Sequence, residues 1–181
     1  MRGTPAANDY DGWVHQLGVT SRRHDARLHL LNAGKPALPA LRRGLENPKP
    51  MVRRTVVKIL DFLVDDETLP YLVAALEDND AEVVGNALHS LACDRCKQDE
   101  CRPGEDVWVP RALEFARSHP SAHIRARAID ALSKVASRLP DVLDALAEVA
   151  ETDGDRGLRG LARHAVEVAE RHQRRRTAAN V

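Results

Sequence analysis

The stretch Met51-Val52-Arg53-Arg54-Thr55-Val56-Val57-Lys58-Ile59-Leu60 contains the pattern that decides the fold. The apolar residues Val52, Val56, Ile59 and Leu60 recur at intervals of three and four, and Leu63 extends the series. This spacing places them on one face of an α-helix, with charged residues on the opposite face. The pattern predicts an amphipathic helix that buries one side.

The same pattern returns along the chain. Apolar anchors at Val52, Val83, Ile124 and Leu158 are separated by about 31, 41 and 34 residues, and each opens a new apolar stripe. Arginine follows three of these anchors, at Arg53, Arg125 and Arg159. A proline precedes three of the stripes, at Pro39, Pro70 and Pro110, where we expect the first turn of a preceding helix. The sequence therefore predicts repeated helical hairpins, which must stack because a single hairpin cannot bury its apolar face.

These repeats resemble the HEAT repeat family, including short bacterial HEAT-like proteins, in which the second helix often opens with an apolar residue followed by arginine. The resemblance covers residues 21–170 and implies an all-α, right-handed α-α superhelix (a HEAT-like solenoid) of about four to five hairpins. Later hairpins are expected at 36–64, 67–93, 106–136 and 140–170. Arg163 stands where earlier repeats carry Val57, Leu88 and Ile129, which is typical of a terminal repeat.

The ends of the chain are expected to differ from the repeats. Residues 1–20 form an N-terminal cap segment with a first helix from Tyr10 to Leu17. Ser21 is predicted to cap the next helix, which stops at Asn32-Ala33-Gly34. Residues 171–181 are predicted to be a frayed basic tail.

Composition excludes several classes of protein. Lys+Arg and Asp+Glu both total 27, so a net charge of zero provides no general attraction to nucleic acid or anionic membranes. No apolar run approaches the roughly 20 residues that span a bilayer. The N-terminal residues lack an apolar signal-peptide core, so we expect a cytoplasmic protein.

Three cysteines form the most chemically distinctive cluster. Cys93, Cys96 and Cys101 follow a C-x2-C-x4-C pattern within an insertion of about ten residues, and His89 lies one helical turn before Cys93. Three thiolates and one imidazole form a common tetrahedral zinc set, so the residues predict a structural zinc knuckle over 89–104. The knuckle looks like one with a Cys-Asp-Arg-Cys core in some bacterial HEAT-like proteins.

The cluster has other interpretations. Cys93 could pack as a small apolar residue beside two free thiols, two of the cysteines could form a disulfide or redox pair, or the cluster could hold an Fe–S centre. If zinc binds, the fourth ligand could be another histidine (His119 or His123) or a nearby carboxylate (Asp94 or Glu100) instead of His89. A catalytic zinc would need an open coordination position and a general base.

The repeated arginines allow two interpretations. They can form a ladder with carboxylates of neighbouring repeats, or they can extend a basic stripe along Arg53, Arg54, Lys58, Arg125 and Arg127 toward the tail. The stripe would support nucleic-acid binding as the alternative function. It is interrupted where Gly85 and His89 occupy the positions of Arg54 and Lys58.

The main hypothesis is a non-catalytic protein–protein interaction scaffold. The sequence contains no phosphate-binding glycine loop and no nucleophile motif, and HEAT-like second helices line a concave surface. Another protein or a peptide is therefore the expected partner. Its contacts are predicted on the second helices, at Arg54, Lys58, Asp61, Asn86, His89, Arg127 and Asp130.

Overall fold

The computed structural model describes residues 3–92 and 103–179, and every regular element within those ranges is helical. The described ranges contain ten α-helices: α1 Tyr10–Gln16, α2 Arg23–Ala33, α3 Leu38–Gly44, α4 Pro50–Leu60, α5 Leu69–Ala74, α6 Ala81–Ala92, α7 Glu105–Ser118, α8 Ala122–Ser133, α9 Pro140–Thr152 and α10 Arg156–Ala179. Three short 3-10 turns lie next to α3, α4 and α5, at Lys35–Ala37, Asp61–Leu63 and Ala75–Glu77. The prediction of an all-α protein is confirmed.

The described chain divides into two compact units. The first contains residues 3–90, and the second contains 91–92 and 103–179. In the first unit α1 packs against α2 and α3, and α4 contacts α1, α2 and α3. In the second unit α7 packs against α8 and α9, and α10 packs against α8 and α9. These contacts join helices that are neighbours in sequence, such as α1 and α2, α7 and α8, and α9 and α10, as the repeat pattern predicts.

The predicted apolar stripes form the core. The anchors Val52, Val83, Ile124 and Leu158 are all buried. One turn after each anchor, Val56, Ala87, Ala128 and Ala162 are fully buried. Alanine at three of these positions lets neighbouring helices approach closely, which explains how a chain with only 3% aromatic residues fills its core.

Helix α10 has the polar outer face expected of a terminal repeat. Val57, Leu88 and Ile129 are completely buried, whereas the equivalent Arg163 is exposed. The Arg163 guanidinium donates a hydrogen bond to the carbonyl oxygen of Ala150, 3.2 Å away, and lies 3.8 Å from the Glu151 carboxylate. At this one register position, α10 therefore carries an exposed charge where the earlier second helices bury an apolar residue.

One predicted cap and one predicted proline position are wrong. The residue that precedes α2 is Arg22, and no side chain caps this helix, so Ser21 is not its N-cap. Pro110 lies inside α7 and not in a first turn, because α7 begins at Glu105, one residue before the expected start of this hairpin at 106. Acidic Glu105 and Asp106 favour that earlier start by interacting with the positive end of the helix dipole. The predicted stop of α2 is confirmed, because Gly34 ends it with a φ of 62° that glycine adopts without strain.

The basic segment after residue 170 is helical through Ala179, whereas the sequence predicted a frayed tail. Helix α10 buries Leu158, Ala162, Ala165 and Ala169 along one face. Gln173 continues that face, and its side-chain amide donates to the carbonyl oxygen of Ser137 at 3.2 Å. This contact extends the docked part of the helix beyond residue 170.

Within residues 3–92 and 103–179, no helix combines the length and the apolar character needed to cross a membrane.

Candidate functional site

Four arginines near the start of second helices share one backbone contact. The guanidinium groups of Arg23, Arg53, Arg125 and Arg159 each donate to the carbonyl oxygen six residues earlier, at distances of 2.9, 2.8, 2.8 and 2.6 Å. Each arginine thereby fixes the loop that leads into its own helix. The sequence analysis identified three of these residues but missed Arg23, because the residue before it is Arg22 and not an apolar anchor.

Two of these arginines also reach the next hairpin. Arg53 forms a bidentate ion pair with Asp78, with nitrogen–oxygen distances of 2.7 and 2.8 Å. Arg125 forms the equivalent pair with Asp153 at 2.8 and 3.2 Å. The side chains of the Arg53–Asp78 pair are only 10% and 12% exposed. We call these contacts the arginine ladder, and they support the structural interpretation of the recurring arginines.

The carboxylates of the ladder also organise helix starts. Asp78 accepts a hydrogen bond from the Asp80 amide at 2.8 Å, and Asp153 accepts one from the Asp155 amide at 2.7 Å. Asp80 caps α6 by accepting from the Val83 amide at 3.2 Å, and Asp155 caps α10 by accepting from Leu158 at 3.2 Å. The sequence signal for this arrangement is an Asp-x-Asp motif whose first aspartate lies five residues before an apolar anchor.

Two positions of the repeat pattern lack the residues of the ladder. Val84 stands where the other second helices carry arginine, and His119 stands where Asp78 and Asp153 stand in their loops. His119 still makes the local turn contact, because its Nδ1 accepts a hydrogen bond from the Ser121 amide at 3.0 Å. In the neutral form the ring proton is therefore on Nε2.

Ion pairing lowers the pKa of two carboxyl groups in these loops. Hydrogen bonds from Arg54 to Asp80, at 2.7 and 2.6 Å, hold the pKa of Asp80 below its usual value. Burial acts in the opposite direction on Asp153. Hydrogen bonds from Arg125 and the Asp155 amide outweigh that burial, so the net pKa of Asp153 is also lowered. Both groups are therefore anionic at neutral pH, as the ladder requires.

The residues predicted to contact a partner differ in how far they are already paired. Arg54 is held by Asp80 and its side chain is 33% exposed. Lys58 and Asp130 are exposed, and their side chains form no ion pair with the described part of the chain. One buried polar atom on each of three other residues has no hydrogen-bond partner within residues 3–92 and 103–179: Asp61 Oδ1, Asn86 Nδ2 and Arg127 Nε.

The predicted metal ligands are only partly described by the structure. His89 is exposed in the last turn of α6. Cys93, Cys96 and Cys101 lie outside the described residues, as do Asp94 and Glu100. Within the described ranges, no group of three or more His, Cys, Asp or Glu side chains could hold a metal ion. The zinc knuckle therefore stays a prediction.

Each unit has a shallow groove beside its ladder loops. The groove in the second unit has a volume of about 280 Å³ and is lined in part by Arg117, His119, Arg125 and Asp153. The groove in the first unit, about 350 Å³, lies beside Arg42, Tyr71 and Asp78. In the groove of the second unit, Arg117 pairs with Glu148 at 3.0 Å and Arg125 pairs with Asp153 at 2.8 Å. Most of the charge in that groove is therefore neutralised.

A family model described as HEAT repeats matches residues 23–92 and 101–167, which together cover more than half of the chain. The match includes helices α2 to α9 and the first half of α10. No curated protein shows significant sequence similarity to the chain.

Two solved structures share the fold at low identity. One is the complex of CpcE and CpcF of phycocyanin lyase from Nostoc sp. PCC7120, with a TM-score of 0.66 and 17% identity; the alignment covers 88% of this chain and 99% of that one. The other is Cex1p, with a TM-score of 0.67 and 14% identity. That alignment covers 93% of this chain but only 36% of Cex1p. At these identities the similarity shows the fold alone.

Proposed function

The chain belongs to the HEAT repeat family, and on that premise we propose that it is a non-catalytic protein–protein interaction scaffold. Its contacts are made by residues of the second helices within each unit, and we call this set of residues the second-helix face. This face consists of Arg54, Lys58, Asp61, Asn86, His89, Arg127 and Asp130. The partner is a protein or a peptide.

The observation that carries this proposal is the contrast between satisfied and unsatisfied polar groups on the same helices. Arg53 and Arg125 are fully engaged within the ladder. In contrast, Lys58 on α4 and Asp130 on α8 are exposed, and their side chains form no ion pair with the described part of the chain. Exposed charges without an internal partner can pair with complementary charges of another molecule, so these two residues favour binding of a protein or peptide at the second helices.

The structural comparison offers limited support. One neighbour was solved as a complex of two proteins, CpcE and CpcF, so the shared fold is compatible with binding a second protein. That complex belongs to a phycocyanin lyase, but 17% identity supports a shared fold and no shared chemistry.

The alternative function, nucleic-acid binding, receives less support from the geometry. Arg53, Arg54 and Arg125 were to provide the basic stripe, but each is bound to an aspartate: Asp78, Asp80 and Asp153 respectively. Paired guanidinium groups contribute little net charge to attract a phosphate backbone. The cations that remain for nucleic-acid binding are Lys58, Arg127 and the arginines at the end of α10.

Reversing the charge of one residue of the second-helix face is expected to weaken binding of the partner protein. We expect Asp130→Arg to reduce the proteins recovered with tagged full-length protein from its native cells by roughly tenfold, because a like charge replaces a complementary one. Quantitative mass spectrometry of the recovered proteins is the measurement. Asp144→Arg is the matched control, since Asp144 is an exposed aspartate on α9, a first helix of the same unit. Recovery of nucleic acid without protein, or equal protein recovery by both variants, contradicts the proposal.

We also propose that Cys93, Cys96 and Cys101 bind one structural zinc ion with His89. The support is the C-x2-C-x4-C spacing and the position of His89 on the exposed last turn of α6, one turn before Cys93. Such a site would order a polar insertion that has no apolar core.

Elemental analysis of the purified protein is expected to show about one equivalent of zinc, which Cys96→Ser removes. His89→Ala should lower the amount of zinc that the purified protein retains, because it removes the fourth ligand. The matched control is His164→Ala, since His164 is exposed at the equivalent position of α10. Less than about a tenth of an equivalent of metal, together with three thiols that react freely in the native protein, would end this proposal.

A further inference from the structure

Arg159 on α10 makes the local contact of a ladder arginine but not the ion pair. Its Nη1 donates to the Asp153 carbonyl oxygen at 2.6 Å, and Nη1 of Arg53 and of Arg125 makes the same contact in its own loop. Arg53 and Arg125 use Nε and Nη2 to hold a carboxylate of the next hairpin. On Arg159, Nε and Nη2 have no hydrogen bond or ion pair within residues 3–92 and 103–179. We call this edge of the Arg159 guanidinium the open rung.

The open rung is oriented before any ligand binds. The contact with Asp153 holds Nη1 of Arg159, and the residue is half-buried. In α4 and α8 the same contact accompanies a carboxylate that lies between 2.7 and 3.2 Å from Nε and Nη2. A guanidinium that is already held loses little side-chain entropy when it binds a carboxylate. The ladder itself therefore shows twice which chemical group this edge accepts.

The aspartates next to the open rung are already engaged. The charge of Arg159 interacts electrostatically with Asp153. Both oxygens of Asp153 nevertheless bind Arg125, and one of them also accepts from the Asp155 amide. The Asp155 carboxylate accepts hydrogen bonds from two amides in the first turn of α10, at 2.7 and 3.2 Å. Neither aspartate supplies the bidentate contact that Arg159 lacks.

Two more arginines share a face of α10 with Arg159. Arg156 precedes it by three residues and Arg163 follows it by four, which places all three on one side of the helix. Arg156 is exposed and forms no ion pair with the described part of the chain. Arg163 lies 3.8 Å from Glu151, whose side chain is 77% exposed. Three arginines with one exposed carboxylate between them make this part of α10 basic.

This part of α10 corresponds to the surface through which α8 contacts the next hairpin. Helix α8 packs against α10, Arg125 pairs with Asp153, and Ile129, one turn after Arg125, is completely buried. Arg159 and Arg163 occupy the equivalent positions of α10. Helix α10 packs against α8 and α9, which precede it, and it is the last helix of the described chain. The open rung therefore lies where one repeat stacks on the next.

We propose that the open rung binds an Asp-x-Asp segment at the start of a helix of a partner protein. The first aspartate of that segment accepts from Nε and Nη2 of Arg159, as Asp78 accepts from Arg53. Further acidic groups of the segment pair with Arg156 and Arg163. This inference rests on the proposed scaffold function and specifies the chemistry of one partner segment.

A second folded copy of this chain does not present such a segment. The ladder already engages the Asp-x-Asp segments at 78–80 and 153–155. In the segment before α1, Asp9 caps the helix and Asp11 pairs with Arg43. The occupant is therefore a different protein.

A peptide that copies residues 75–92 tests the inference, because this stretch contains the Asp-x-Asp segment and the helix that follows it. Its counterpart carries the change Asp78→Asn. Fluorescence anisotropy of the labelled peptides with the full-length protein, at low salt, is expected to show about tenfold tighter binding of the aspartate peptide. Arg159→Gln should remove this preference, because glutamine cannot donate a bidentate, charged contact.

Arg175→Gln is the matched control, because Arg175 is an exposed arginine of the same helix that forms no ion pair with the described residues. It removes the same charge and should keep the preference. Arg163→Glu leaves the contact between Arg159 and Asp153 in place, and it should weaken binding of the aspartate peptide through repulsion between like charges. Circular dichroism shows whether each variant is folded, and Arg163→Glu decides the matter if Arg159→Gln is not.

Equal binding of the two peptides by the wild type overturns the inference, as does an unchanged preference in folded Arg159→Gln or unchanged binding by Arg163→Glu. An equal loss in Arg175→Gln also overturns it, because the attraction would then belong to the basic helix in general. Self-association that Arg159→Gln abolishes overturns it as well, because the occupant would then be a second copy of this chain.

The outcomes of the two experiments are separable. If Asp130→Arg loses its protein partner while the wild type binds both peptides equally, the scaffold function stands and the open rung is not a contact. If neither result is obtained, both proposals fail.

Discussion

Replacing Asp78 with alanine is expected to lower the free energy of unfolding of the first unit by about 3–5 kcal/mol. The reason is that Arg53 remains in place with a side chain only 10% exposed, and its charge then lacks the carboxylate that pairs with Nε and Nη2. The Asp80 amide also loses its acceptor, which loosens the loop before α6. Urea denaturation followed by circular dichroism measures the loss, and hydrogen exchange should locate it in α4 and α6.

An exposed ion pair of the same unit provides the control. Asp11 and Arg43 form a similar bidentate contact, at 2.9 and 2.7 Å, but their side chains are 63% and 58% exposed. Asp11→Ala should change the denaturation midpoint far less, because water solvates the remaining arginine. Similar effects of Asp78→Ala and Asp11→Ala would show that the ladder does not stabilise the fold through a buried charge pair.

Replacing Ile129 with arginine is expected to lower the free energy of unfolding more than any other substitution considered for this chain. Ile129 is completely buried in α8, so Ile129→Arg introduces an unpaired charge into the core of the second unit and costs about 4 kcal/mol or more. We expect loss of cooperative unfolding in that unit. Ile129→Ala should lower the free energy of unfolding by about 2–5 kcal/mol. This variant tests burial at position 129 even if the arginine variant does not fold.

The equivalent position on α10 already carries arginine, which makes it the matched control. Arg163 is exposed, and Arg163→Ile should alter the free energy of unfolding by less than about 1 kcal/mol. Thermal and urea denaturation of the three variants test this contrast. If Ile129→Arg proved as stable as the wild type, the assignment of this register position to the core would be wrong.

Much of the fold could be predicted from the apolar spacing. Val52, Val83, Ile124 and Leu158 were identified from periodicity, and all four are buried. Periodicity succeeds here because one helical face must leave water, whatever the remaining residues are. Helix ends were harder to predict. Ser21 does not cap α2, and α7 begins before Pro110, because local capping competes with dipole and packing effects that spacing does not reveal.

The site was less accessible to sequence analysis than the fold. The positions of the second-helix face follow from the repeat register, but their pairing does not. Arg54 was expected to be available to a partner, yet it forms two hydrogen bonds with Asp80. Arg159 was identified from the repeat register, but the register does not show that the described chain supplies its Nε and Nη2 with no carboxylate.

The sequence by itself determined that this chain forms repeated helices with one buried stripe, because hydrophobic burial depends on a pattern that recurs every three or four residues. The tertiary structure decided which charges are neutralised. Arg53 and Asp78 are 25 residues apart, and Arg125 and Asp153 are 28 apart, so only the stacking of successive hairpins brings each pair together. Stacking likewise leaves Nε and Nη2 of Arg159 without a partner in the described chain, since pairing depends on neighbours distant in sequence.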